Sequence, residues 1–208
     1  ADQWNKAQSV MGEILDHLGV AYEIGIDEAA FYGQKLDIQI KNVFGKEDTL
    51  ITIQIDMMQA EKFGMEYVDS DGEMKMPYII HRTSIGCYER TLALLIEKYA
   101  GALPTWMAPE QVRILPITSR VSDYTSDICR RLSGMGFRIS EDSRNEKIGK
   151  KIREAQIEKI PYMIVVGDQE AENGQVSVRH RADGDVGTMS VDDFIALLKD
   201  VVDSKARK

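Results

Sequence analysis

The feature that most constrains this chain is a change of periodicity across residues 101–111, GALPTWMAPEQ, a segment with two prolines and a leading glycine. Prolines in such a run interrupt both helices and central strands, so the segment punctuates the fold. Before it, apolar residues alternate with polar ones over short stretches. After it, strand patterns and helix patterns take turns. One uninterrupted sheet or helix bundle is therefore excluded. The 208 residues suffice for one large domain or two small ones. The boundary is expected near Pro109, giving domains of residues 1–107 and 108–208.

In the first half, residues 3–18 space their apolar side chains as a helix does, with Gly19 as the stop. Residues 22–24 form a short strand candidate. Residues 36–43 (LDIQIKNV) and 50–56 (LITIQID) alternate and predict a hairpin turning around Gly45. Residues 65–68 and 76–82 predict a further strand pair around the turn at 69–72. Residues 87–100 predict a buried apolar helix. In the second half, strands are expected at 112–117, 137–140, 162–166 and 175–179. Helices are expected at 124–135, 145–159 and 191–202. Asn145 is the candidate N-cap of the second of these, and Ile148, Ile152 and Ala155 form its apolar stripe. This alternation predicts a small α/β domain on a mixed sheet.

Composition narrows the function classes. No window approaches a membrane span of about 18 apolar residues. The first residues lack the basic and apolar regions of a signal peptide. They also lack an initiator Met, as a processed chain or a piece of a longer one would. Cys87 and Cys129 have no CxxC spacing, and the plain expectation is reduced thiols in a cytoplasmic protein. The net charge is -8, and all of it resides in residues 1–107, with 9 basic against 17 acidic side chains. Residues 108–208 balance at 17 against 17. Locally, residues 144–159 gather Arg144, Lys147, Lys150, Lys151, Arg153 and Lys159. Such a cluster is either an RNA-facing patch or a solvated helix face laced by i,i+4 ion pairs.

Four segments, in order, resemble the threonyl-tRNA synthetase family. AFYGQKLD at residues 30–37 is similar to the family's AFYGPK(L/I)D. TIQID at 52–56 is similar to TIQLD. IHRTSIGCYER at 80–90 is similar to IHRAILGSLER and contains the Gly-x-x-Glu-Arg core of the third class II motif. The last is RNEKIG at 144–149, continuing through KIREAQ at 151–156, KIPYM at 159–163, VVGD at 165–168 and VSVR at 176–179. The resemblance implies a partial, antiparallel α+β class II synthetase catalytic sheet, without the first two class II motifs, followed by an α/β anticodon-binding domain with a mixed sheet.

The same resemblance implies the chemistry. The family joins threonine to its tRNA using ATP and Mg in two steps, through an adenylate. Arg90 matches an arginine that braces the ATP γ-phosphate, a task suited to a planar, permanently charged guanidinium. Its plain alternative is a surface ion pair with Glu89. Tyr32, Lys35 and Gln54 match active-site positions, Gln54 on the ATP side; otherwise they are sheet-packing side chains with solvated tips. His81 matches a zinc ligand whose fellow Cys and His ligands have no counterpart here, which leaves it an orphan; a lone His beside a strand is more often a hydrogen-bonded one. Asn145, Lys159, Glu170 and Arg179 match anticodon contacts. Asn and Arg suit bidentate base readout, Glu accepts from amino groups, and Lys159 suits a phosphate. Alternatively, Asn145 caps a helix, Glu170 is loop surface and Arg179 is an exposed strand charge.

Departures from the family pattern are concentrated in the first half. The WQCGT before the IQLD becomes DTLIT at 48–52, losing the glutamine and the glycine, a proline becomes Gln34, and a serine becomes Cys87. The expectation is a part of a threonine–tRNA ligase that is inactive alone, binds threonine tRNA, and in the parent enzyme takes ATP and threonine and forms a homodimer. The alternatives are a non-catalytic relative that holds a tRNA or a tRNA-like hairpin, and a relic of the fold used in protein assembly.

Overall fold

A computed structural model describes residues 2–207. The chain divides into two compact units, Ala1–Leu94 and Leu95–Lys208.

The first unit opens with helix α1 (Asp2–His17). Strands β1 (Lys35–Lys41) and β2 (Glu47–Asp56) form an antiparallel hairpin, and Gly45 takes a left-handed φ of 76° in its turn. A short helix, α2 (Gln59–Lys62), follows. Strands β3 (Tyr67–Val68) and β4 (Met74–Lys75) make a separate two-stranded ribbon. Strand β5 (Ile79–Arg82) adds to β2, giving the antiparallel order β1-β2-β5. Helix α3 (Tyr88–Tyr99) runs into the second unit.

Three expectations are corrected here. Residues 22–24 form no strand. The ribbon partner of Tyr67–Val68 is Met74–Lys75, while Ile79–Arg82 pairs with the long hairpin instead, because the proline and polar residues between them break the run. Helix α3 has no buried residue: its Leu92 and Ile96 stay about half exposed, since no described element covers that side.

In the second unit, β6 (Val112–Pro116) leads through a 3-10 turn at Ser119–Val121 into α4 (Ser122–Gly134). Then come β7 (Ile139–Glu141), α5 (Ile148–Ile157), β8 (Tyr162–Val166) and α6 (Asp168–Asn173). Strands β9 (Gln175–His180) and β10 (Gly184–Ser190) and helix α7 (Val191–Asp203) complete the unit. The sheet order is β10-β9-β8-β6-β7, with β6 parallel to β7 and β8 and the other pairs antiparallel. This is the mixed sheet that the alternation predicts.

Side chains alternate across the pleat and build two cores. One face presents Ile114, Ile164, Val176 and Val178 to Ile128 and Leu132 of α4 and to Phe194 and Leu198 of α7. The other presents Leu115 and Met163 to α5, through Ala155, Ile148 and Ile152. Burial at roughly 25 cal/mol per Å² of apolar surface holds these layers together. Helix α5 covers β6 and β8, leaving the same face of β9 and β10 uncovered by any described helix.

Candidate functional site

The first unit assembles a polar row across its sheet. Cross-strand register aligns Lys35 with Gln54, and Gln54 with His81. One pleat period further along, Asp37 stands opposite Thr52. The Tyr32 hydroxyl donates to Gln54 Oε1 at 3.0 Å, and its ring stands edge-on to His81 with centroids 6.4 Å apart. Lys35 pairs with Asp37 at 2.5 Å, and the Thr52 hydroxyl donates to Asp37 at 2.7 Å. His81 Nε2 lies 3.1 Å from Asp56 Oδ2. Burial pushes the Asp56 carboxyl up, but the backbone N–H groups of Gln59 and Met58, with His81, hold it below the usual carboxylate range.

Two glycines permit this arrangement. A Cβ on Gly33 would stand 1.6 Å from the Ile55 carbonyl oxygen, so only glycine lets the chain beside β2 bring Tyr32 to Gln54. Gly86 has φ 77°, and a Cβ there would stand 2.0 Å from the Leu50 carbonyl oxygen. It starts α3 against β2, where Arg90 Nη1 donates to the Thr49 carbonyl at 2.6 Å. Arg90 is therefore not in an ion pair with Glu89, which accepts from the Cys87 thiol. Thr49 and Gln54 are about 17 Å apart along the strand at 3.4 Å per residue. The structure thus brings together Tyr32, Lys35, Gln54 and His81, and leaves the anchor of Arg90 further along β2.

Sequence reasoning missed Asp37, Thr52 and Asp56 as members of this row. All three lie within the quoted motifs, and the period-2 spacing of Asp37 from Lys35, and of Thr52 and Asp56 from Gln54, is the signal that could have found them. Among the described residues no three His, Cys, Asp or Glu side chains stand close enough to hold a metal ion. A zinc site needs about three protein ligands. The residues present therefore do not fit zinc.

The second unit carries its polar groups at the carboxyl edge of its parallel strands and on the uncovered sheet face. Asn145 follows β7 and Glu170 follows β8, so both leave the same edge. Asn145 is exposed, and it does not cap α5; this corrects the expected helix start. The helix begins at Ile148 behind Lys147, because Asp142 captures the preceding loop. Its Oδ1 accepts from the Arg144 backbone N–H at 3.2 Å and from Arg144 Nε at 2.8 Å, a local alternative to helical bonding. Arg144 also pairs with Glu154 at 2.6 Å, and Lys150 with Glu146 at 2.6 Å. Much of the basic cluster is thus internally paired.

Glu170 makes the return half of a capping box at the start of α6, reaching back to the N-cap Gly167. Its Oε2 accepts from the Gly167 N–H at 2.8 Å and its Oε1 from the Ser177 hydroxyl at 2.9 Å. Burial raises this carboxyl, and those two donors more than reverse the effect, so it stays ionised and acceptor-only. Ser177 lies 3.0 Å from the Thr188 hydroxyl on β10. Arg179, two residues along β9, shares the face of Ser177. Its Nη1 is 3.6 Å from Asp185, and its Nε is buried with no partner among the described residues.

Lys159 ends elsewhere. Helix α5 separates it from Asn145 by about 15 Å at 1.5 Å per residue. It adopts a left-handed φ of 61°, and its ammonium donates to the Ala100 carbonyl. The structure therefore brings Glu170 and Arg179 together through Ser177, places Asn145 at the edge shared with Glu170, and sets Lys159 against residue 100.

Comparison with known proteins fits both units. Residues 1–99 match the family described as tRNA synthetase class II core domain (G, H, P, S and T), and residues 111–201 match the anticodon binding domain. A threonine–tRNA ligase of Clostridium perfringens is 59% identical over 93% of this chain and 30% of its own length. One from Staphylococcus aureus is 48% identical over 100% of this chain and 32% of its own. Over most of its length the chain is a homologue of threonine–tRNA ligases. It spans about a third of the length of the curated relatives it matches. A crystal structure described as the RNA binding domain of threonyl-tRNA synthetase from Cryptosporidium parvum superposes with a TM-score of 0.87. It is 31% identical, over 96% of this chain and 51% of that one.

Proposed function

We propose that this chain supplies anticodon recognition, and the third-motif end of the active site, to a threonine–tRNA ligase. The observation that carries the first part is the uncovered face of β9. There an ionised, acceptor-only Glu170 and an arginine with a buried, unpartnered Nε stand on either side of Ser177. A buried unpartnered donor calls for an acceptor, and the edge of an unstacked base offers one. Glu170 accepts from a base amino group, Arg179 donates to acceptors such as those of guanine, and Asn145 adds bidentate pairing from the loop before α5. In this reading residues 108–208 form the reading module and 1–107 the partial catalytic domain.

The intact ligase would activate threonine with ATP and Mg in the cytoplasm as a homodimer. Within it, Tyr32, Lys35 and Gln54 would contact substrate, with Arg90 on the ATP phosphates after release from the Thr49 carbonyl. Filter binding with matched and anticodon-swapped threonine tRNA tests the first part. Preference for the matched tRNA is expected; equal affinity for both refutes specific reading. Threonine-dependent pyrophosphate exchange tests the second. The 208-residue chain is expected to show none, and measurable exchange would overturn the view that it lacks a complete active site.

A further inference from the structure

Helix α5 breaks its own pattern at Lys151. Ile148, Ile152 and Ala155 face the sheet, and Lys151 lies in the same buried stripe with only 2% exposure. A lysine there is costly unless its ammonium is fully engaged. Lys151 Nζ donates to the Pro116 carbonyl at 3.0 Å and to the Asp142 carbonyl at 2.8 Å. Those carbonyls mark the place where β6 and β7 part. The Asp142 N–H makes the last rung, to the Ile114 carbonyl at 2.9 Å, while β6 continues along β8 to Pro116. The chain leaves β6 toward α4 on one face and β7 toward α5 on the other. Such divergence opens a crevice at the carboxyl ends of the strands, where open α/β sheets take ligands. Here the protein's own ammonium fills it.

We infer that Lys151 is the positioning residue for the base-reading loop at 142–147. Its bonds fix the backbone at Asp142, where that loop begins. The Asp142 carboxylate then fixes Arg144, so the conformation that leaves Asn145 exposed hangs from the buried ammonium. Nothing in its surroundings gives Lys151 access to RNA; it acts through Asn145. The inference rests on the anticodon reading proposed above.

The test is a double-mutant cycle on the full chain, binding matched and base-swapped threonine anticodon stem-loops. Lys151→Met is expected to lose about tenfold or more of the discrimination at the base read by Asn145. Adding Asn145→Ala should then change discrimination less than twofold, whereas adding Arg179→Ala should keep its full effect. A merely structural lysine predicts a uniform loss at every base and independent effects of the two changes; either result overturns the inference. If Lys151→Met does not fold, Lys151→Gln carries the same cycle. The wild-type protein gives a separate readout. The Lys151 ammonium resonance should shift on binding the matched loop and not on binding one swapped at the Asn145 base, and an unmoved resonance refutes coupling to that loop. Wild type that fails to discriminate sinks the anticodon reading itself; discrimination that survives Lys151→Met sinks only this inference.

Discussion

At the level of single residues, the two units use different devices. In the first, glycine does what no other side chain could. Gly33→Ala places a methyl group against the backbone of β2, where no flexible neighbour can yield. The change should destabilise the first unit by about 3 kcal/mol, the upper range for overpacking, and lower its thermal transition in differential scanning calorimetry. In the second unit, Arg179→Ala should cost about 1–3 kcal/mol of RNA binding and relax preference at one base, read by titration against base-swapped loops. The motif position of Lys159 makes it a proposed phosphate contact. With its ammonium on the Ala100 carbonyl, Lys159→Ala should leave the salt slope of RNA binding unchanged and speed proteolysis near residues 100–103. A slope reduced by about 1 would restore it as a phosphate contact.

At the level of elements, α5 and its approach are held by carboxylates that ionise more readily in the folded state. Hydrogen bonds from Arg144 hold Asp142 below the usual carboxylate range, Lys150 does so for Glu146, and Arg113 for Glu158. Depressed folded values mean stability that is complete above the unfolded values of about 4 and is lost as pH falls through the lower folded ones. Thermal melts of the second unit should be flat from pH 7 to about 5 and drop below about 4. A melting point unchanged down to pH 3 would refute this.

The apolar stripe of α5 was legible in the sequence because helical spacing survives any tertiary context. Its start was not, since Asn145 looks like a cap until Asp142 is seen to take the preceding loop. The six-residue α6 has too few apolar residues for a periodic signal, and β10 carries Gly184 and Gly187, with a register shift between Asp185 and Gly187 that breaks its alternation. The row at Gln54 was legible only as motif letters. Apart from the Lys35–Asp37 pair, its hydrogen bonds join residues 15 to 25 apart, which local periodicity does not encode.

At the level of the whole molecule, the units differ in how much they bury. The second has two hydrophobic cores, while only Leu15 and Ala60 are buried apolar residues among those described in the first. Unfolding of the 208-residue chain should therefore show two transitions, the lower from the first unit, and trypsin should cleave within residues 1–94 first; a single cooperative transition would contradict it. The segment that punctuates the sequence also proves to be fastened rather than loose. Arg181 donates to the carbonyls of Ala102 and Leu103, Arg138 to those of Trp106 and Ala108, and Gln111 to that of Thr105. Anyone transplanting the second unit into a chimera should accordingly start the graft near Leu95. A graft opened at the second proline would discard the strap that those side chains grip and leave their donors facing solvent.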